Sequence, residues 1–173
     1  MRLPRQLRQG ARYHVTARIN RKEMLLGLAS MRDLFLATVA RAKRKYHFRI
    51  WNFCVMGNHV HFLIEPDESE NLSDIMRWIL GVFAMAYNRR LCLSGHVWGD
   101  RFHSRILDGI ENFVLAFSYI SQNPRRAGLV ENDAVWVHSG LYHARMGIHA
   151  ILDVFPAWLH MLFPEYAVQP LPS

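Results

Sequence analysis

Some stretches of the chain alternate between apolar and polar residues, and longer ones repeat apolar residues every three or four positions. Residues 12–19 (RYHVTARI) alternate and are rich in β-branched side chains, which predicts a strand leaving through the polar Asn20-Arg21-Lys22. Phe48–Val55 and residues 59–65 read as two more strands. Gly57-Asn58 is a hairpin-turn signal between them, and Pro66 stops the second. Leu34, Phe35, Thr38, Val39 and Ala42 keep helical spacing over about residues 31–46, with Ser30 as the expected cap and a basic last turn. Beyond a polar loop, Leu72–Leu91 is a second amphipathic helix with Ile75, Met76, Ile79, Leu80, Phe83 and Tyr87 on its core face. Residues 96–107 (HVWGDRFHSRIL) alternate well enough for a fourth strand. Residues 111–122 (ENFVLAFSYISQ) read as one more helix, ending at Asn123-Pro124.

The order strand–helix–strand–strand–helix–strand predicts an α+β, ferredoxin-like βαββαβ antiparallel sheet with its helices on one face. The helix at 111–122 and a C-terminal helical and loop extension, aromatic and His-rich from Ala134 onward, are added to it. The expected division is a domain at 1–147 with an extension at 148–173 packed on it. With 173 residues, 51% of them hydrophobic, the chain can bury a core without staples. The two cysteines, Cys54 and Cys92, have no C-x-x-C spacing, which excludes a disulfide framework or a cysteine metal site and fits a reducing compartment. The basic first residues lead into no apolar signal core, and no apolar run approaches a membrane span, so a cytoplasmic protein is expected.

Charge sharpens the picture. Lys and Arg number 21 against 14 Asp and Glu, a net charge of +7, with a pI near 9.9. Basic residues cluster at 2–12, 18–22 and 41–49. Such a domain favours nucleic acid through phosphate neutralisation. No aromatic RNA-recognition signature of the K/R-G-F/Y-G/A-F type is present.

Candidate chemistry lies in the third strand, VMGNHVHFLIEP. His59 and His61, two apart on a strand, point to one face with Cα atoms about 6.5 Å apart. Among ten histidines, chance alone supplies about half an H-x-H, so the pair by itself suits a polar spot in the core as well as a metal ion. An ion would need a third protein ligand. Tyr119 and Asn123, four apart, share one flank of the last helix, about 40° apart around its axis. Taken singly, they also read as a boundary tyrosine and a helix-end residue before Pro124.

Together these segments carry a resemblance. YHVTARIN, VMGNHVHFLIEP, HVWGDRFHSRIL and YISQNPRRAGLVE, in this order and spacing, resemble the HUH single-strand tyrosine transposases, in particular the REP-associated tyrosine transposase branch with its IS200-like transposase domain. The resemblance implies a DNA strand transferase with Tyr119 as nucleophile and His59, His61 and Asn123 as metal ligands, Gln122 being the fallback for Asn123. It implies a 5′-phosphotyrosine intermediate and, as partner, single-stranded DNA carrying imperfect palindromic hairpins. Two imidazoles by softness favour zinc; the resemblance points instead to Mg²⁺ or Mn²⁺. Gly57 stands where members often have Pro, a minor departure. Arg18, Arg101 and Arg105 on the expected strands, and Arg125 and Arg126 after the tyrosine helix, are the candidate phosphate contacts. Trp51, Trp98 and Phe102 offer stacking surfaces, although core packing suits them better. The competing readings are a non-cleaving module of the same fold that binds structured DNA or RNA, and a phosphodiesterase using water. A monomer is expected, since the aromatic C-terminus can cover the surface a shared-site dimer would use.

Overall fold

Four strands form one sheet in the computed structural model, which describes residues 7–168. They are β1 (Tyr13–Arg18), β2 (Phe48–Val55), β3 (His59–Pro66) and β4 (His103–Ile106), in the order β2-β3-β1-β4. With α1 (Ala29–Lys43) joining β1 to β2 and α2 (Leu72–Leu91) joining β3 to β4, this is the ferredoxin-like arrangement the pattern predicts. Residues 1–6 and 169–173 lie outside the described residues, and with them the start of the basic N-terminal run and the end of the expected extension.

Every neighbouring pair of strands is antiparallel, so the period of two sorts side chains between the faces. Phe62 of β3 meets α1 and α2: Phe35 of α1 lies 6.0 Å from Phe62 and 5.2 Å from Phe83 of α2, centroid to centroid. Each such fully buried ring contributes about 1.5–3 kcal/mol. His59, His61, Leu63 and Glu65 take the opposite face. That face is covered by α3 (Gly109–Ser121), which packs on β2 and β3 through Phe113, Phe117 and Ile120.

β2 turns two successive side chains toward α3. Its register against β3 slips between Ile50 and Asn52, leaving Trp51 as the extra residue of a bulge. Trp51 packs 5.6 Å from Phe113 and donates to Glu65 Oε2 at 2.6 Å. The fully buried Asn52 donates through Nδ2 toward the Phe117 carbonyl (3.0 Å), Ser121 Oγ (3.0 Å) and the Tyr166 hydroxyl (2.8 Å). The chain continues through α4 (Asn123–Arg126), α5 (Gly140–Arg145) and α6 (Ala157–Leu162). Phe155, Phe163 and Tyr166 then close on Phe117 at 5.8, 4.4 and 4.8 Å. The C-terminal segment thus clamps α3 onto the sheet, and Asn52 ties all three parts together.

Three local expectations need correction. Ser30 is not the cap of α1, which starts one residue earlier after an extended Leu28 with no side-chain cap. The turn at 24–27 sets that start: Leu26 is fully buried and its N–H bonds the Gly57 carbonyl at 2.9 Å. Residues 96–102 are not strand. They approach β1 at a single bridge, Ile19 with Trp98, and cross its end where Gly99 N–H reaches the Arg18 carbonyl at 3.0 Å. Helical structure does not stop at Asn123-Pro124: α3 pauses at Gln122, and α4 restarts with Pro124 in its first turn, where a missing N–H costs nothing. Trp51 and Phe102 are buried, and Trp98 packs between Phe35 and Phe83. Among the described residues no helix is long and apolar enough to cross a membrane, and Cys54 and Cys92 are both free.

Candidate functional site

Strand register assembles a polar patch beneath α3. Thr16 of β1 stands opposite His61 on one side and His103 of β4 on the other. Arg18 stands opposite His59, and His14 opposite Leu63 and Arg105. Because alternate residues share a face, all of these side chains project to the side that α3 covers.

The two histidines of the motif meet edge to face at 4.9 Å between ring centroids. His59 Nδ1 lies 2.7 Å from Asn58 Oδ1, and the Asn58 amide is itself oriented by donating from Nδ2 to the Lys22 carbonyl at 3.1 Å. An oxygen acceptor at that distance puts the proton on His59 Nδ1 and leaves a lone pair on Nε2. His61 Nδ1 lies 3.0 Å from His14 Nε2 and 3.3 Å from Thr16 Oγ1. The His61 Nε2 atom is buried and has no hydrogen-bond partner.

Tyr119 projects from the last turn of α3 onto this cluster. Its ring lies 5.6 Å from that of His61 and 5.8 Å from that of His14, and it is 39% exposed. The Arg126 guanidinium stands 5.3 Å from the Tyr119 ring, carried there by the restart of the helix after Gln122. Asn123 is buried and donates from Nδ2 to the Tyr119 carbonyl at 2.8 Å, which leaves its amide oxygen as the acceptor of that side chain. Gln122 instead lines a cavity of about 520 Å³ together with His14, Arg105, Tyr119 and Arg126. A second cavity, of about 600 Å³, opens beside Thr16 and is lined by Arg18, Arg21, Lys22, Arg101 and His103. In it, Arg21 and Lys22 hold left-handed backbone at φ 51° and 58°, a strained conformation for side-chain-bearing residues.

Of the five candidate arginines, Arg18, Arg105 and Arg126 reach the cavities beside the histidines and the tyrosine. Arg101 reaches the second cavity from the loop before β4 rather than from a strand. Arg125 points to Asp133, with Nε 3.2 Å from Oδ2, while its backbone N–H is held by Oδ1 at 2.8 Å. His14, Thr16 and Asn58 escaped the sequence reading. For His14 and Thr16 the signal was the shared period of two with Arg18 on β1, a strand that the ferredoxin-like order places beside β3.

Burial dominates the electrostatics. It pushes the His61 pKa down to about 3, with the neighbouring His59, His14 and Arg18 adding to the shift. His59 is lowered by burial and then by Arg18, and His14 by burial and then by Arg105. The imidazoles are therefore neutral at neutral pH, the form a metal ion needs. Among the described residues no three His, Cys, Asp or Glu converge as a metal site. A divalent ion here would draw on two imidazoles and an amide oxygen. The lone pair on His59 Nε2 and the unpartnered buried His61 Nε2 fit that role.

Comparison with known proteins agrees with this architecture. The family model described as transposase IS200-like matches residues 8–123, a span that includes His14, both motif histidines, Tyr119 and Asn123. A REP-associated tyrosine transposase bound to a REP hairpin has a similar fold, with a TM-score of 0.73 at 22% identity, covering 90% of this chain and 92% of the other. A presumed transposase from Deinococcus radiodurans R1 aligns at a TM-score of 0.50 and 14% identity, over 69% of this chain and 95% of its own. No curated protein matches the sequence.

Proposed function

The chain belongs to the IS200-like transposase family, and from that premise we propose that it cuts and rejoins single-stranded DNA beside hairpins, using Tyr119 as nucleophile. The observation that carries this reading is the seating of Tyr119 over His61, 5.6 Å between rings, with Arg126 against the tyrosine. The Tyr119 phenol oxygen attacks a backbone phosphorus and gives up its proton. A bond forms between that oxygen and phosphorus as the bond from phosphorus to the 3′ oxygen breaks. The 5′ oxygen stays on phosphorus, which leaves a 5′-phosphotyrosine link, and the departing strand takes up a proton and leaves as a 3′-hydroxyl. The phosphodiester is exchanged rather than hydrolysed, so an incoming 3′-hydroxyl reverses the step without a nucleotide cofactor.

His59, His61 and Asn123 would hold a divalent ion, Mg²⁺ or Mn²⁺, with Gln122 as the alternative to Asn123. When bound, the ion supplies charge stabilisation at the phosphate oxygens. Asn58 keeps His59 in the tautomer such an ion requires. Arg126 and Arg105 neutralise phosphate on the tyrosine side, and Arg18 and Arg101 along the second cavity, positioning the strand without reading its bases. Arg125, engaged by Asp133, serves DNA less directly. The neighbour's REP hairpin makes an imperfect palindromic hairpin the preferred partner. We extend the same reading to a cytoplasmic, monomeric protein.

The test is incubation of hairpin oligonucleotides with the protein and Mg²⁺ or Mn²⁺, scored for a denaturation-resistant protein–DNA adduct. Loss of adduct in Tyr119→Phe and His61→Ala supports the reading. Cleavage that persists in Tyr119→Phe points to a water nucleophile, and tight binding without adduct points to a non-cleaving module.

A further inference from the structure

Two imidazoles lie in direct contact beneath the tyrosine, and the reading above uses one of them. His14 Nε2 stands 3.0 Å from His61 Nδ1, with the two rings stacked at 5.2 Å between centroids. A hydrogen bond between two ring nitrogens requires a proton on one and a lone pair on the other. If His14 donates, His61 carries its own proton on Nε2, buried with no acceptor. If His14 accepts, His61 is the Nδ1–H tautomer and its buried Nε2 holds a lone pair. For His59, the oriented Asn58 amide already settles the choice in the second sense. Thr16 Oγ1, at 3.3 Å from the same His61 nitrogen, is the weaker contact and can donate or accept.

We propose that His14 is a positioning residue that accepts the Nδ1 proton of His61 and so keeps His61 Nε2 as a cation ligand. Asn58 and His14 then play matching parts, each fixing one histidine of the pair from behind. Partners of this kind, which orient a ligating imidazole and raise its basicity, typically change metal affinity by about 10–100-fold when removed. The strand supplies the geometry: β1 pairs with β3 so that Thr16 faces His61, and His14, two positions earlier, reaches the same ring diagonally.

This inference rests on His61 being a ligand, so its test is separated from cleavage. The tautomer of His61 is read by ¹⁵N NMR on histidine-labelled, cation-free protein, and Mn²⁺ affinity is measured by calorimetry without DNA. Wild type is expected to show His61 protonated on Nδ1. His14→Leu, confirmed folded by its amide spectrum, is expected to weaken Mn²⁺ about 10–100-fold. His14→Gln, whose amide oxygen stands near the position of the lost Nε2, stays within a few-fold of wild type. A wild-type His61 protonated on Nε2 overturns the proposal. So does wild-type affinity in His14→Leu, or equal weakening in the two variants, which would make ring packing the relevant contribution. Should wild type take up no Mn²⁺, the metal assignment falls with the proposed function, and the tautomer still decides the part played by His14.

Discussion

Replacing Asn52 by leucine removes the tie between sheet, tyrosine helix and C-terminal segment while keeping the side chain's approximate shape. The amide is fully buried; Nδ2 serves the Phe117 carbonyl, Ser121 Oγ and the Tyr166 hydroxyl at 2.8–3.0 Å, and Oδ1 accepts from the Phe53 N–H at 2.8 Å. Leucine returns none of these. The Phe117 carbonyl and the Tyr166 hydroxyl keep Ser121 Oγ, so they are not stranded. The Phe53 N–H loses its oxygen, an uncompensated cost of about 1–3 kcal/mol, and the broken amide bonds add about 1 kcal/mol. The sum is about 2–4 kcal/mol, which for a chain of this length lowers Tm by roughly 5–15 °C. Calorimetry measures that loss, and hydrogen exchange should show faster opening of α3. Tyr166→Phe removes less, about 1 kcal/mol, and a double-mutant cycle between the two should give a clear coupling energy. An Asn52→Leu protein melting within about 1 °C of wild type would refute the reasoning.

Acidification should destabilise the fold before any carboxylate chemistry intervenes. Burial, with His138 adding to it, pushes the His143 pKa from 6.5 down to about 4, so the unfolded chain binds a proton the native state refuses. Stability is therefore full above about pH 6.5 and falls as pH drops toward 4, by up to about 3 kcal/mol from this residue; a chemical-denaturation series over pH 4–8 checks the slope, which His143→Gln should flatten. Arg126→Ala should lower adduct formation at least tenfold, whereas Arg125→Ala, whose guanidinium already pairs with Asp133, should change DNA affinity by less than about threefold. A thiol reagent should titrate the exposed Cys92 quickly and reach Cys54 only on unfolding, because Cys54 is buried and its pKa is driven upward by that burial.

Much of this site was legible because strands and helices impose short periods. The H-x-H spacing put His59 and His61 on one face, and the four-residue spacing kept Asn123 in contact with the Tyr119 backbone even though the helix breaks between them at Gln122. Element order then predicted the sheet, which places β1 beside β3. What escaped depended on tertiary partners. His14 is an ordinary strand residue until register sets it against His61. Arg125 and Arg126 are indistinguishable in sequence, and only the restart of the helix at Pro124, with Asp133 opposite, sends one to an ion pair and the other to the tyrosine. The fourth strand was overdrawn because residues 96–102 alternate for a different reason: Val97, Trp98 and Phe102 pack into the core from a loop.

The central claim is that Tyr119 becomes covalently linked to DNA, and peptide mapping of the adduct tests it most directly. Trypsin releases residues 106–125, a peptide containing a single tyrosine. After reaction with a hairpin oligonucleotide and Mn²⁺, then nuclease trimming, mass spectrometry should find this peptide carrying a nucleotide on Tyr119. A nucleotide on any other residue, or cleaved DNA with the peptide unmodified, would contradict the account.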